Sequence, residues 1–402
     1  MLDSDFDLAR ARVETPGVHH VVHLNNAGAS LAPQVVVDAV TDHLRTEALV
    51  GAYEAAERAQ SAIDRAHGGI AELLNCRTEE VAILDSASRA WGMALASIPL
   101  MAGDRVLASP VEYGGNHVSL LHLTQRVGAL LETLPVDNTG MVDVDELHNQ
   151  LDERVRLIAV THVPMHDGLV NPVARIGRLA RAHGVLSLVD ACQSVGQMPV
   201  NVRELDCDLL VGCGRKFLRG PRGTGFLYVR QELAHELTPP ILGLDGVEWS
   251  SGTYRLAPGA RRFETWESNC ASRIGLGVAV DYALGWGVDR TWQRVRQLAE
   301  GLRRNVAGIP GVTVEDRGRE RCGTVALTFE GLRPDRVRAA LGRAGINTWV
   351  CLPNAACVDM QARRLDSLLR VSVHYYNSQE ELDRLCSELE SLAVGPPAKV
   401  LV

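Results

Sequence analysis

No stretch of the 402-residue chain is apolar for the length of a membrane span, which takes ~20 consecutive residues. Basic residues are not in excess either: 41 Lys and Arg stand against 49 Asp and Glu, for a net charge of −8. That balance argues against a nucleic-acid or membrane-surface partner. The opening MLDSDFDLARARVETPG has acids where a signal peptide needs a basic head and an apolar core. Nine cysteines are scattered without a CxxC pair. Their odd count and spacing exclude a disulfide scaffold and predict reduced thiols in the cytoplasm. Neither GxxxxGKS/T nor HExxH occurs, so the sequence has no signature of phosphate-loop or zincin chemistry and predicts no metal. Internal repeats and low-complexity blocks are missing as well.

What is present is an alternation. VAILDS, DRVLASP, RVRLIAVTHV, GVLSLVDA, CDLLVGC and GFLYVR read as buried strands. VVVDAVTDHLRTEAL, DVDELHNQLDE and VARIGRLARAHG read as the helices between them. This pattern predicts an α/β fold, with a mainly parallel sheet covered on both faces. Ligands of such sheets bind at the carboxyl ends of strands, where Asp85, Thr161, Asp190 and Cys213 fall. PPILGLDGVEWSSGTYRLAPGARRFETWE, rich in Gly and Pro, reads as a long functional loop. A helical stretch from about Ser272 leads into a second unit, in which strands GVTVED, GTVALTFE and LLRVSVHYY are mixed with helices. With 46% apolar content, the length suits two domains. We expect a large ligand-binding domain at 15–272 and a small α+β domain from 1–14 and 273–402.

The densest chemistry lies at 190–225, DACQSVGQMPVNVRELDCDLLVGCGRKFLRGPRGTG. A carboxylate ends an apolar run, an amide follows three residues on, and Lys216 sits in a glycine-rich turn after a second apolar run. Pyridoxal phosphate needs those groups: an amine for its aldehyde, an anion for its pyridine nitrogen, and donors for its phenolate and phosphate. Lys216 is the candidate for the Schiff base and for moving the substrate Cα proton. Asp190 is the candidate for the ring nitrogen, and Gln193 for the phenolate oxygen. A phosphate takes backbone amides at a helix start plus a cation. SASRAW offers Ala87, Ser88 and Arg89 in that setting, and Arg215 is a second cation. Tyr113, in SPVEYGGN, is placed to stack on the ring. Arg370 is suited to a bidentate grip on a substrate α-carboxylate. Cys351 and Cys357 precede it in a loop, where a nucleophilic thiol is conceivable and an idle one is the simpler reading. His162 and His166 in HVPMHDG are of the kind that is more often structural.

Taken in order, these motifs resemble the class V aminotransferase family of fold-type I pyridoxal-phosphate enzymes. HLNNAGASLAP is similar to the family's N-terminal motif, SASRA to its phosphate turn and VEYGGN to its stacking position. THVPMHDGLVNPV, DACQSVGQ, GCGRKFLRGPRGTG and RVSVHYYNSQEELDRL complete the set. The resemblance implies a seven-stranded large sheet and a homodimer. It also implies a cofactor lysine at Lys216, ring contacts at Asp190 and Gln193, and a carboxylate arginine at Arg370. It places Asn26, Gly28 and His166 beside the substrate. Trp266, Glu267 and Asn269, in a loop expected to reach the neighbouring subunit, are candidates for substrate or partner contact.

Several positions depart from the cysteine desulfurases of the family. Cys213 and Arg215 stand where those enzymes carry a Ser/Thr and a His before the lysine. NTWVCLPNAAC replaces their cysteine loop, and Met165 stands in place of a loop Asn. RFETWESN replaces their glycine-threonine segment. An Arg before the lysine and EYG at the stacking site resemble the ergothioneine-pathway C–S lyase and lincosamide-pathway enzymes acting on cysteine S-conjugates. The resemblance therefore implies β-elimination from an S-substituted cysteine to thiol, pyruvate and ammonia. Oxidative decarboxylating deamination, cysteine desulfuration and epimerisation are the alternatives.

Overall fold

A computed structural model describes residues 6–394. Residues 1–5 and 395–402, the outer ends of the expected small domain, lie outside the described residues. Seven strands form the large sheet: β1 (Val81–Leu84), β2 (Arg105–Ala108), β3 (Leu130–Thr133), β4 (Val155–Thr161), β5 (Leu186–Asp190), β6 (Leu209–Cys213) and β7 (Gly225–Val229). Their order is β1-β7-β6-β5-β4-β2-β3. All neighbours are parallel except β7, which runs antiparallel to both β1 and β6. The central runs LSLVD and LLVGC are apolar because helices cover both faces, and β6 is buried at every position. Apolar residues pack on each side of the sheet, as two separate core clusters. The six strands expected from the sequence are all present; β3, with its half-exposed LLET, is an addition.

A second, antiparallel sheet has the order Val312–Val314, Thr324–Phe329, Leu368–Ser372, Trp349–Cys351. The expected long helical stretch is two helices, Cys270–Trp286 and Val288–Ala307, broken at Gly287 where φ is +78°. The segment expected to be a long loop carries a hairpin, Val247–Ser250 with Thr253–Leu256, and a 3-10 turn at Gly259–Phe263.

The chain's beginning is woven into its end. Val22–His23 pairs with Ile346–Asn347, and Asn25 bridges to Ser372. Buried Arg219 fastens three remote segments: it donates to Leu31 O at 2.8 Å, Tyr375 Oη at 2.7 Å and Thr15 Oγ1 at 2.5 Å. Its guanidinium lies 4.6 Å from the Tyr376 ring centroid and 5.3 Å from that of Tyr375. Such stacking suits a planar cation held away from water. No helix among the described residues is long and apolar enough to cross a membrane.

Candidate active site

A cavity of ≈ 560 Å³ opens at the carboxyl ends of β4, β5 and β6, where Thr161, Asp190 and Cys213 line it. One wall is the first turn of helix Ala87–Ser97. Ser86 caps it, its Oγ accepting from Arg89 N at 3.2 Å, and Ser86, Ala87 and Ser88 line the cavity. First-turn amides have no partner within a helix, so this wall is an anion cradle. Gly225, at the start of β7, packs against it. A Cβ there would fall 2.3 Å from Ser86 C and 2.4 Å from Ala87 N. The side chain of Arg89 is elsewhere, lining a smaller recess with Thr265 and Ser268.

Asp190 sits on the floor, held in one orientation. Its Oδ1 accepts from Cys192 N at 2.8 Å and its Oδ2 from Asn116 Nδ2 at 2.7 Å. Asn116 also donates to Glu112 Oε1 at 2.9 Å. Glu112 is buried with Oε2 unpartnered. Burial, reinforced by the Asp190 charge, pushes its carboxyl up to about 8. Gln193 Nε2 donates to Ala27 O at 3.1 Å, and its Oε1 has no partner. Lys216 lines the cavity within the Gly214–Gly220 turn, which a 2.8 Å Gly220 N to Gly214 O bond closes. Its ammonium makes no hydrogen bond or ion pair among the described residues.

Cys192 and Cys213 line the same cavity as Lys216, and Cys213 Sγ donates to Cys192 O at 3.8 Å. The Cys213 thiol is drawn down by a hydrogen bond from Cys192 and by the Lys216 and Arg215 charges, against its burial. Burial also keeps His162 neutral, its pKa lowered to about 4. Tyr113 lines the mouth, just before helix Gly114–Val127.

On the opposite side, buried Arg370 donates to Met165 O and to Asn25 Oδ1, both at 2.8 Å, and its Nε is unpartnered. Arg215 donates to Gly28 O. Both arginines and Gly28 line the cavity.

Five other candidate residues are placed outside its walls, among them Asn269, which caps helix Cys270–Trp286 by accepting from Ser272 N at 2.8 Å. Asn26 is buried behind it, donating to Ser372 O at 2.7 Å and accepting from Tyr376. His166 faces away, paired with Asp359 at 2.8 Å. That pair and Asp167 form a buried acidic cluster in which Arg317 and Arg363 supply the counter-charge. Trp266 and Glu267 are exposed on the loop before the Cys270–Trp286 helix. A contact reaching these two from a second subunit leaves no mark in a single chain's motif.

Glu112, Asn116 and Cys192 were not singled out from the sequence. Glu112 and Asn116 lie within the quoted VEYGGN motif, Glu112 just ahead of the helix and Asn116 in its first turn.

Together these groups fit pyridoxal phosphate: an amine, a strand-end carboxylate, a helix start for phosphate and an arginine for the substrate carboxylate. The aminotransferase class-V family model matches residues 22–385. The chain belongs to this family.

Class V relatives resemble it from end to end. A probable cysteine desulfurase of Methanothermobacter thermautotrophicus is 30% identical over 393 residues, covering 95% of this chain and 97% of the relative. A cysteine desulfurase of Escherichia coli O8 is 29% identical over 96% of this chain and 98% of its own. The apo structure of a cysteine desulfurase from Thermococcus onnurineus has a TM-score of 0.90 at 25% identity, covering 98% of this chain and 99% of that one. The expected fold-type I architecture is thus borne out.

Proposed function

We propose that this class V protein is a pyridoxal-phosphate-dependent C–S lyase, splitting a cysteine S-conjugate into thiol, pyruvate and ammonia. The observation carrying this reading is that Lys216, Asp190 and Arg370 line one cavity while neither Cys351 nor Cys357 lines it. Pyridoxal phosphate, when bound, supplies the electron sink that makes a substrate Cα proton acidic. The amides of Ala87 and Ser88 would hold its phosphate, and Asp190, braced by Asn116, would keep its ring nitrogen protonated. Gln193 and Tyr113 would position the ring.

Arg370 would grip the substrate carboxylate, setting the Cα–H bond within reach of the Lys216 amine. Lys216 takes that proton, the Cβ–S electrons leave with the thiolate, and the released enamine hydrolyses to pyruvate and ammonia. A thiolate is a good leaving group, so no strong acid is needed beside sulfur. The Arg215 and EYG likenesses support a setting in actinobacterial, lincosamide-like specialised sulfur metabolism. Exposed Trp249, Tyr254 and Trp266 support a homodimer whose 239–269 segments meet the neighbouring cavity.

A second reading, cysteine desulfurase, is favoured by the names of the relatives. It requires a thiol that reaches the substrate. Cys351 is buried on its strand, whereas Cys357 is exposed at the start of helix Cys357–Ala362.

The test is to incubate the loaded enzyme with S-alkyl or S-glycosyl cysteine and assay thiol, pyruvate, carbon dioxide and aldehyde together. Equimolar thiol and pyruvate, both lost in Lys216→Ala, is the expected result. Carbon dioxide and aldehyde with the C–S bond intact would mean a decarboxylating deaminase. Solvent exchange at Cα alone would mean an epimerase. Sulfur transfer from free cysteine, abolished by Cys357→Ala, would mean a desulfurase.

A further inference from the structure

Four cationic side chains line the cavity, Lys216, Arg215, Arg222 and Arg370, against the single carboxylate of Asp190. None of the three arginines has a carboxylate within ion-pair distance among the described residues. Arg370 is buried, Arg215 half-buried and Arg222 exposed; a guanidinium taken out of water is ordinarily paired, because leaving its charge unmatched is costly. The excess cation therefore marks where anions bind.

Position sorts the three. Arg222 and Thr224 stand in the turn leading into Gly225, the residue packed against the Ser86–Ala87 backbone. Arg222 is thus beside the phosphate cradle. Arg370 and Arg215 hold opposite ends of one short turn at 25–28: Arg370 bonds Asn25 Oδ1, Arg215 bonds Gly28 O, and Gly28 N donates to Asn25 O at 2.9 Å. The two guanidinium groups are close enough that the Arg215 charge adds to burial in holding the Arg370 pKa down. Arg215, which the sequence offered as a second cation for the phosphate, is turned instead to Gly28 O; with Arg222 beside the phosphate and the α-carboxylate on Arg370, it is left for another anion.

We propose that the S-substituent of the substrate carries a second carboxylate, and that Arg215 is the specificity residue that receives it. The inference rests on the S-conjugate reading above and narrows it to cysteine conjugates with an acidic S-substituent. The second carboxylate would displace the weak Gly28 carbonyl acceptor in favour of a charge-assisted pair.

A matched pair of ligands tests this: S-carboxymethyl-cysteine and its carboxamide, S-carbamoylmethyl-cysteine, which differ by one charge at nearly constant size. Calorimetric affinity for the loaded enzyme and kcat/KM are measured for both, in wild type, Arg215→Gln and Arg215→Lys. A charged hydrogen bond of this kind predicts a ~10–100-fold preference for the acid. Arg215→Gln should bring the acid-to-amide ratio near one, and Arg215→Lys should restore part of it. Equal handling of the two ligands by wild type overturns the proposal, since both arginines would then be sharing the α-carboxylate. A preference that survives in Arg215→Gln overturns it too. So does a variant that loses affinity for pyridoxal phosphate, read by cofactor titration, with the ratio unchanged, which would return Arg215 to the phosphate. Tighter binding of the acid without any thiol release would uphold the charge assignment while refuting β-elimination.

Discussion

Glu112 shows how much one side chain can do while touching neither solvent nor, on this geometry, substrate. Folded, it keeps a proton up to about 8; unfolded, it releases that proton near the ordinary carboxylate value. Between those values the folded state binds more protons, so the contribution of Glu112 to stability falls as pH rises from ~4.5 to ~8. The denaturant midpoint of wild type should therefore drop across this window, by a free energy on the order of a few kcal/mol. Glu112→Gln, which has no proton to lose, should flatten the decline. Parallel pH profiles for the two proteins would sink this account. Gly225 makes a sharper case. Gly225→Ala puts a methyl 2.3 Å from Ser86 C, so the helix start must shift, and affinity for pyridoxal phosphate should fall at least ~10-fold in a cofactor titration. Lys216, Asp190 and Arg370, which line one cavity, stood out in the sequence because each ends or follows an apolar run. Glu112 was not, because an acid beside an aromatic in a loop motif says nothing of burial. Asn26 and His166 were placed beside the substrate by motif likeness, yet their side chains serve the wall's far side.

At the scale of elements, the short 165–169 segment joins the site to the second sheet. Met165 O holds Arg370, and two residues on, Asp167 accepts from Arg317 N at 3.0 Å and pairs with Arg317 Nε at 3.1 Å and Arg363 at 3.3 Å. Asp167→Ala would leave half-buried Arg317 to Asp359 alone and Arg363 to Asp359 and Glu315. Removing one partner of charged hydrogen bonds that keep others costs about 1–3 kcal/mol, which urea unfolding would read. Because the Met165 carbonyl moves with this segment, KM for the S-conjugate should rise more than kcat falls. An unchanged KM in a destabilised variant would show that the two ends of the segment are independent. Continuous apolar runs identified the central strands because burial on both faces demands them. β3 and the Val247–Ser250 hairpin escaped, being edges where polar residues face water and periodicity is faint. The SSG turn, with Gly252 at φ +81°, was the available signal for the hairpin.

For the whole molecule, the exposed aromatic pair on the hairpin is the feature a lone chain leaves unexplained. Trp249 and Tyr254 face each other across its strands, 71% and 57% exposed. Such a patch suits an interface. Sedimentation velocity should give twice the chain mass, and Trp249→Glu with Tyr254→Glu should weaken self-association at least ~10-fold. A wild-type monomer at micromolar concentration would end the homodimer reading.

Arg219 sits three residues beyond Lys216 and is clasped by Thr15, Leu31 and Tyr375. A ribosome adds ~5–20 residues per second, so the lysine emerges well before the segment that completes the clasp. Residues 370–376 supply both Arg370 of the cavity wall and the tyrosines against Arg219. During synthesis the half-made chain thus has Lys216 but not the cavity wall that Arg370 completes. The cavity therefore stays open on one side in the nascent chain until residues 370–376 have been made.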